Sequence, residues 1–409
     1  MKEKMPDARH VVKKHLERTA NFNWSKILVD SRSTNNRKWD FEYLMNILYY
    51  GMLTGQTNLR AVEDLSENYH VRIPDTTLYV LLSNIDGEPL RELIAKEVKK
   101  SMSSHELSKE SFPVRITAID GKCSSISKKP VGPFSQISDC NGKPQYINRV
   151  LRAAHVTNKT KIILGQREIQ GKTSETGEFI PFIDDLLKLY GKTDLLEVIS
   201  VDAGMISLKN ANYLVGNGLE YIMALKSPQK KLVDLGHELL GHQETCDKET
   251  IEHLNGKTIN RKLYRCKAPA LSKWHHLKQF WRIRQEVKCN GKVSVEERFF
   301  VTSLNYEKLN DAEVLKAIRI HWGIENDVNW IFDTVWTEDD SPWCNKAFIT
   351  VTLLRILVYN IISRLKNRRL RKQNDRERSW KGILQMIIFV LFDMKNEVQI
   401  KPFIQTCEV

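Results

Sequence analysis

Three carboxylates stand where folding can gather them. Asp120 follows the apolar run 114–119, Asp202 follows 198–201, and Glu325 lies in His321-Trp-Gly-Ile-Glu-Asn326. Clustered carboxylates repel one another, and a divalent cation that prefers hard oxygen ligands, magnesium or manganese, relieves the repulsion. Acids at strand ends and on a helix face therefore point to metal-dependent phosphoryl transfer. Each acid also has a plainer reading. Asp120-Gly121 is a frequent hairpin turn, Asp202 a frequent helix N-cap, and Glu325 a partner for His321 one turn earlier. Against the first stands the polar sequel to Gly121, which offers no alternating strand to complete a hairpin. Against the second, the end of a buried strand is where α/β sheets bind ligands. Against the third, Leu315, Ile318, Trp322, Phe332 and Trp336 recur at helical spacing as an apolar stripe. Glu325 falls on that stripe, with Asn329 one turn after it, and a buried unpaired charge there needs a partner.

The elements that must position these acids emerge from periodicity. Residues 39–102 read as helical, with Phe41, Leu44, Ile47 and Leu48, then Leu78, Leu81, Leu82 and Ile85, at helix spacing. Residues 58–65, a loop through Pro74 and a helix from Asp75 outline a helix-turn-helix. Next come strands at 114–119, 150–156 and 161–169, a helix at 179–190, a strand at 195–201, a helix at 207–215 and a strand at 220–225. That order predicts an α/β fold, a mixed sheet flanked by helices. Residues 228–297 interrupt it with a polar first half and two β-ribbon segments, 257–266 and 280–287. Strand character returns at 298–303. A long helix is expected from Asp311 through Trp336, then an apolar helix at 348–365.

The 409 residues suffice for two or three domains. A net charge of +13 and a pI near 9.2 call for a polyanionic partner, nucleic acid or an acidic membrane surface. The basic residues cluster at 364–372 and at Lys96, Lys99 and Lys100. No apolar run approaches the roughly 18 residues of a bilayer span and the first residues are polar, so a cytoplasmic protein without a membrane partner is expected. The seven cysteines form no pairs with metal-ligand spacing, which argues for reduced thiols without zinc or redox chemistry.

Ile116-Thr-Ala-Ile-Asp-Gly-Lys122, Ile199-Ser-Val-Asp-Ala-Gly204 with Leu219 to Gln229, and Ile320-His-Trp-Gly-Ile-Glu-Asn326 running into Trp330-Ile-Phe-Asp333 and Glu338-Asp339 occur in that order. Together they resemble the DDE transposases of bacterial insertion sequences, in particular the H-repeat-associated branch of the IS-four group. The resemblance implies an RNase H-like core in which Asp120, Asp202 and Glu325 hold two divalent ions, Mg2+ or Mn2+. It also implies a β-rich insertion before the last acid. The expected organisation is a helical DNA-binding region at 1–110, core at 111–227, insertion at 228–297, core at 298–366 and a basic helical tail at 367–409. The implied activity is cleavage at the element's ends and strand transfer into target DNA. The implied partners are double-stranded DNA, as terminal inverted repeats and target, and a second copy of the chain in a homodimer. Candidate DNA contacts are Lys122, Lys226, Lys230, Arg319, His321, Arg368, Arg369, Arg371 and Lys372. The wider group's Tyr, Arg and Lys positions hold Ile318, His321 and Phe332 here. That leaves two other readings, a DNA-binding relative with a decayed site and a nuclease without strand transfer.

Overall fold

Asp7 and Asp40 each accept a backbone N–H from the adjoining first turn and so start α1 (Ala8–Thr19) and α2 (Phe41–Leu53). Three more helices, α3 (Leu59–Tyr69), α4 (Asp75–Asn84) and α5 (Glu88–Ser103), complete a helical layer whose Leu44, Leu48, Leu78 and Leu82 are fully buried. The computed structural model describes residues 7–397 except 33–36, 70, 105–106, 108–111, 128–131, 141–142, 227–228, 342, 344 and 371–377.

The chain then builds a mixed sheet. Its elements are β1 (Ile116–Ser127), β2 (Ser135–Cys140), β3 (Lys143–His155), β4 (Ile162–Glu168), α6 (Glu175–Tyr190), β5 (Val198–Val201), α7 (Leu208–Gly216) and β6 (Glu220–Ala224). After them come α8 (Lys230–Leu240), β7 (Lys248–Leu254), β8 (Lys257–Lys267), β9 (Gln279–Cys289) and β10 (Lys292–Thr302). Ten strands form one sheet in the order β2-β3-β1-β5-β6-β10-β9-β8-β7, with β4 on β3. The β1-β5 and β5-β6 pairs are parallel and the others antiparallel. Every residue of β5 is buried, as a parallel strand covered on both faces requires. The rest of the chain is α9 (Asp311–His321), a π-helical turn (Ile324–Asn329), α10 (Trp330–Trp336), α11 (Asn345–Arg364) and α12 (Trp380–Glu397).

Five expectations need correction. First, β1 does not end before Asp120. It pairs with β3 from Thr117–His155 to Ser127–Tyr146, and that continuous antiparallel partner carries it through the polar stretch. Second, β2 joins the edge of the sheet where no strand was expected. Third, the polar half of 228–297 holds α8 and β7. The hairpins β7-β8 and β9-β10 turn at Asn255-Gly256 and Asn290-Gly291, whose φ values of 50° and 73°, and 48° and 75°, are those of the left-handed turns Asn-Gly favours.

Fourth, the helix from Asp311 to Trp336 is not continuous, because the π turn adds a residue to the winding and shifts the phase of α10 against α9. Fifth, Ala347–Asn367 is long and apolar enough to cross a bilayer. It lies almost wholly inside the protein, with Arg355 and Asn360 buried on it, so here it serves as the core helix between the sheet and the helical layer.

Candidate functional site

In the parallel β1-β5 ladder Ile119 lies opposite Val201. The next residues on the two strands are Asp120 and Asp202, which therefore stand side by side where β5 ends. Asp202 closes a short turn by accepting the Gly204 N–H at 2.7 Å. The N-cap of α7 is Ser207, so the plainer reading of Asp202 is not what this chain uses. Gly121 makes no hairpin either. A β-carbon on it would meet the Glu175 carboxylate, so a larger residue here would displace that side chain.

Glu325 lies in the π turn and is exposed, not buried on the apolar stripe. The extra residue of that turn moves it out of phase with Ile318 and Phe332 and gives the inward positions to Val328 and Asn329. Its charge is nonetheless felt by Asp120. Burial, then Glu325, then Asp202 and Glu175 raise the Asp120 pKa to about 7 from an ordinary 3.8. This is a site with more negative charge than it can hold unaided.

Glu175 carries no sequence signal of its own beyond a Ser ahead of acids in a first helical turn, which normally reads as capping alone. It is the first residue of α6, capped by Ser174, and its Oε2 is 3.6 Å from where a β-carbon on Gly204 would be. Burial and Asp202 raise its pKa, while Arg149 works in the opposite sense.

The candidate DNA contacts separate by location. Lys226 and Lys230 are placed beyond the end of β6, on the same edge of the sheet as Asp202, and both are exposed. Lys122 is held by Asp333 and Asp339 at 2.6 and 2.9 Å. Arg319 turns to Glu252 on β7. His321 is buried, with Nδ1 3.0 Å from the Ser200 hydroxyl, and burial lowers its pKa to about 4. It is therefore a neutral ring tying α9 to β5. The side chains of Arg368, Arg369, Arg371 and Lys372 lie outside the described residues.

No three His, Cys, Asp or Glu side chains among the described residues close on one point as a finished metal cage. Asp120, Asp202 and Glu175 are instead partly exposed and Glu325 is exposed, so the acids are open to solvent. That suits a hard ion that keeps several waters and takes the rest of its ligands from a substrate phosphate. The donor set fits such an ion, with all-oxygen ligands and a carboxyl whose ionisation is held back by burial and like charge.

A pH measurement reads this strain. Asp120 binds its proton more tightly folded than unfolded, so its contribution to stability is complete below about pH 3.8 and is lost as pH rises through about 7. In metal-free protein Asp120→Asn is expected to be more stable than wild type at pH 8, by about 1–2 kcal/mol after discounting for solvent in the cleft, and equal to it near pH 3.5. The neutral buried His155 and His321 slope the other way below pH 6.5, so the difference between the two proteins is the quantity to measure. A difference that does not change with pH removes the strain.

A solved structure, the cryo-EM structure of piggyBac transposase synaptic complex with hairpin DNA, is similar over 95% of this chain and 80% of that one, at 12% identity and a TM-score of 0.47. A protein of Escherichia coli O157:H7 named "Putative transposase YncI" is 23% identical over 342 residues, which is 77% of this chain and 80% of that protein. The family described as Transposase DDE domain matches residues 112–361. That span is more than half of the chain and contains Asp120, Asp202, Glu175 and Glu325, and the chain belongs to the DDE transposase domain family.

Proposed function

We propose that the chain is an insertion-sequence transposase of the H-repeat-associated IS-four branch, which cleaves DNA at its element's ends and joins the 3′ ends to a target. The observation that carries this is the juxtaposition of Asp120 and Asp202 at the end of the β1-β5 ladder with Glu325 acting on Asp120 across the cleft. In this reading β1, β3, β4, β5 and β6 with α6, α7 and α9 form an RNase H-like core, 228–297 is an insertion that extends its sheet, and 1–110 binds DNA. Asp120, Asp202 and Glu325 hold the divalent ions. When bound, two such ions activate the attacking water or 3′-hydroxyl and stabilise the leaving oxygen of an in-line displacement.

The protein's own part is to hold the acids apart on a strand, a strand end and a π turn, and to leave the cleft open to a phosphate backbone. Lys226 and Lys230 stand on the same edge of the sheet and supply positive charge along the path of that backbone. A surface cavity beside the π turn is lined by Lys159, Trp330, Lys366 and Trp380, the basic and aromatic combination suited to nucleic acid. On α4, Thr76, Tyr79 and Val80 face solvent, as a recognition helix would present them. The protein works in the bacterial cytoplasm, as a homodimer on paired DNA ends.

The test is a cleavage and strand-transfer assay on the element's flanking DNA with magnesium. Cleaved and joined products support the proposal. Cleavage without joining indicates a nuclease, and end binding without either indicates a decayed site. A second expectation concerns salt. If about six phosphates are engaged, affinity for the ends falls on the order of a thousandfold between roughly 50 and 200 mM salt. A flat response in a binding titration removes the electrostatic role given to the lysines.

A further inference from the structure

Asp120 lies opposite Arg152 in the β1-β3 ladder, yet the two side chains do not pair directly. Between them is Asn329, the last residue of the π turn and 6% exposed. Its Nδ2 donates to Asp120 Oδ2 at 2.8 Å, and its Oδ1 accepts from Arg152 Nη1 at 2.9 Å. Arg152 is in turn held by Glu338, Nη2 to Oε1 at 2.8 Å and Nη1 to Oε2 at 3.2 Å, and Glu338 also accepts the Ser124 hydroxyl at 2.6 Å. The Arg152 guanidinium lies 4.0 Å from the centre of the Phe332 ring, which fixes its plane.

The direction of this chain of bonds is set by chemistry. A guanidinium has donors and no acceptor, so only the oxygen of the Asn329 amide can face Arg152. The NH2 group must then face Asp120, and Asp120 must offer a bare oxygen to it. An amide in open surroundings can flip, but this one cannot without setting donor against donor at one end and oxygen against oxygen at the other.

We infer that Asn329 is a positioning residue for Asp120, holding one carboxylate oxygen fixed so that the other is presented to the cleft, with its own orientation locked by the buried Arg152–Glu338 pair. The π turn carries both the exposed Glu325 and, four residues later, the buried Asn329, and both act on Asp120. This inference rests on reading Asp120 as a ligand of the divalent ion.

The experiment measures Mn2+ binding to the full-length protein by electron paramagnetic resonance, with no turnover involved. It is read beside the thermal midpoint of the metal-free protein and the affinity for DNA ends. Losing an outer hydrogen bond to a metal ligand typically weakens metal binding by about 10–100-fold. Asn329→Ala is expected to show that loss with end binding unchanged, while Asn326→Ala, an exposed neighbour on the same turn, binds Mn2+ like wild type. Asp120→Asn is expected to lose most of the binding. If Asp120→Asn loses Mn2+ and folded Asn329→Ala does not, the positioning role is overturned and the site stands. If Asp120→Asn binds Mn2+ like wild type, the site itself is misread. Should Asn329→Ala not fold, Asn329→Ser, which keeps a polar atom at this buried position but is too short to reach Asp120, is judged by the same criterion.

Discussion

Asp120→Asn is expected to abolish magnesium-dependent cleavage, by about 10³-fold or more (roughly 4 kcal/mol of barrier), while leaving affinity for the element's ends within a few fold. The substitution is nearly isosteric, and its carbonyl can still accept from Asn329, so the local fold is kept. The change removes one negative oxygen donor from a cleft where burial and three other acids already oppose ionisation. It should therefore also stabilise the metal-free protein at neutral and alkaline pH. A substitution that kills activity and raises stability marks a residue kept for function against the interests of the fold. A gel assay of pre-cut and intact ends with magnesium, run beside a thermal melt, checks both signs. A variant that cuts at the wild-type rate would sink the assignment of Asp120.

The range of the forces involved decides which features are legible in the sequence and which are hidden. The apolar runs at 198–201 and 220–225 announce buried parallel strands because both faces of such strands are covered, and β5 and β6 are found there. Apart from β2, the order of strands and helices between Val114 and Lys226 follows the same local signals. Asp120 and Asp202 are visible as acids after apolar runs. That β1 continues past Asp120 is not visible, because the strand that sustains it, β3, pairs with it across as many as thirty or more residues of chain.

Glu325 is singled out by a periodicity that does not hold. A regular helix would set it on a buried stripe, and a π turn, which single-sequence periodicity cannot anticipate, moves it to the surface. Glu175 and Arg152 are not legible at all. Their roles arise from contacts with residues far along the chain, such as Gly121 for one and Glu338 for the other. The hairpins in 228–297 are legible in Asn255-Gly256 and Asn290-Gly291, and the polar composition of that stretch masks them.

Glu338→Gln is expected to show the reverse of Asp120→Asn, a loss of stability of about 3–5 kcal/mol. Glu338 and Arg152 are both 0% exposed. Arg355, also fully buried, has its pKa lowered to about 10 by burial, which the Glu338 charge counteracts and the Arg152 charge worsens. One carboxylate thus balances two guanidiniums beneath the sheet. Neutralising it leaves two buried cations facing each other, whereas the neighbouring Ser124 hydroxyl loses only a charged acceptor for a neutral one. The expected result is a lower denaturation midpoint and poor soluble yield, measured without metal so that the cleft contributes nothing. Pairing Glu338→Leu with Arg152→Met should recover part of the stability, because the apolar pair has no charge to desolvate and only Arg355 is left buried without its carboxylate. The recovered protein should still cut poorly, since Asn329 would no longer be held in the orientation that serves Asp120. Recovery of stability together with full cleavage would mean that the buried pair serves the fold alone.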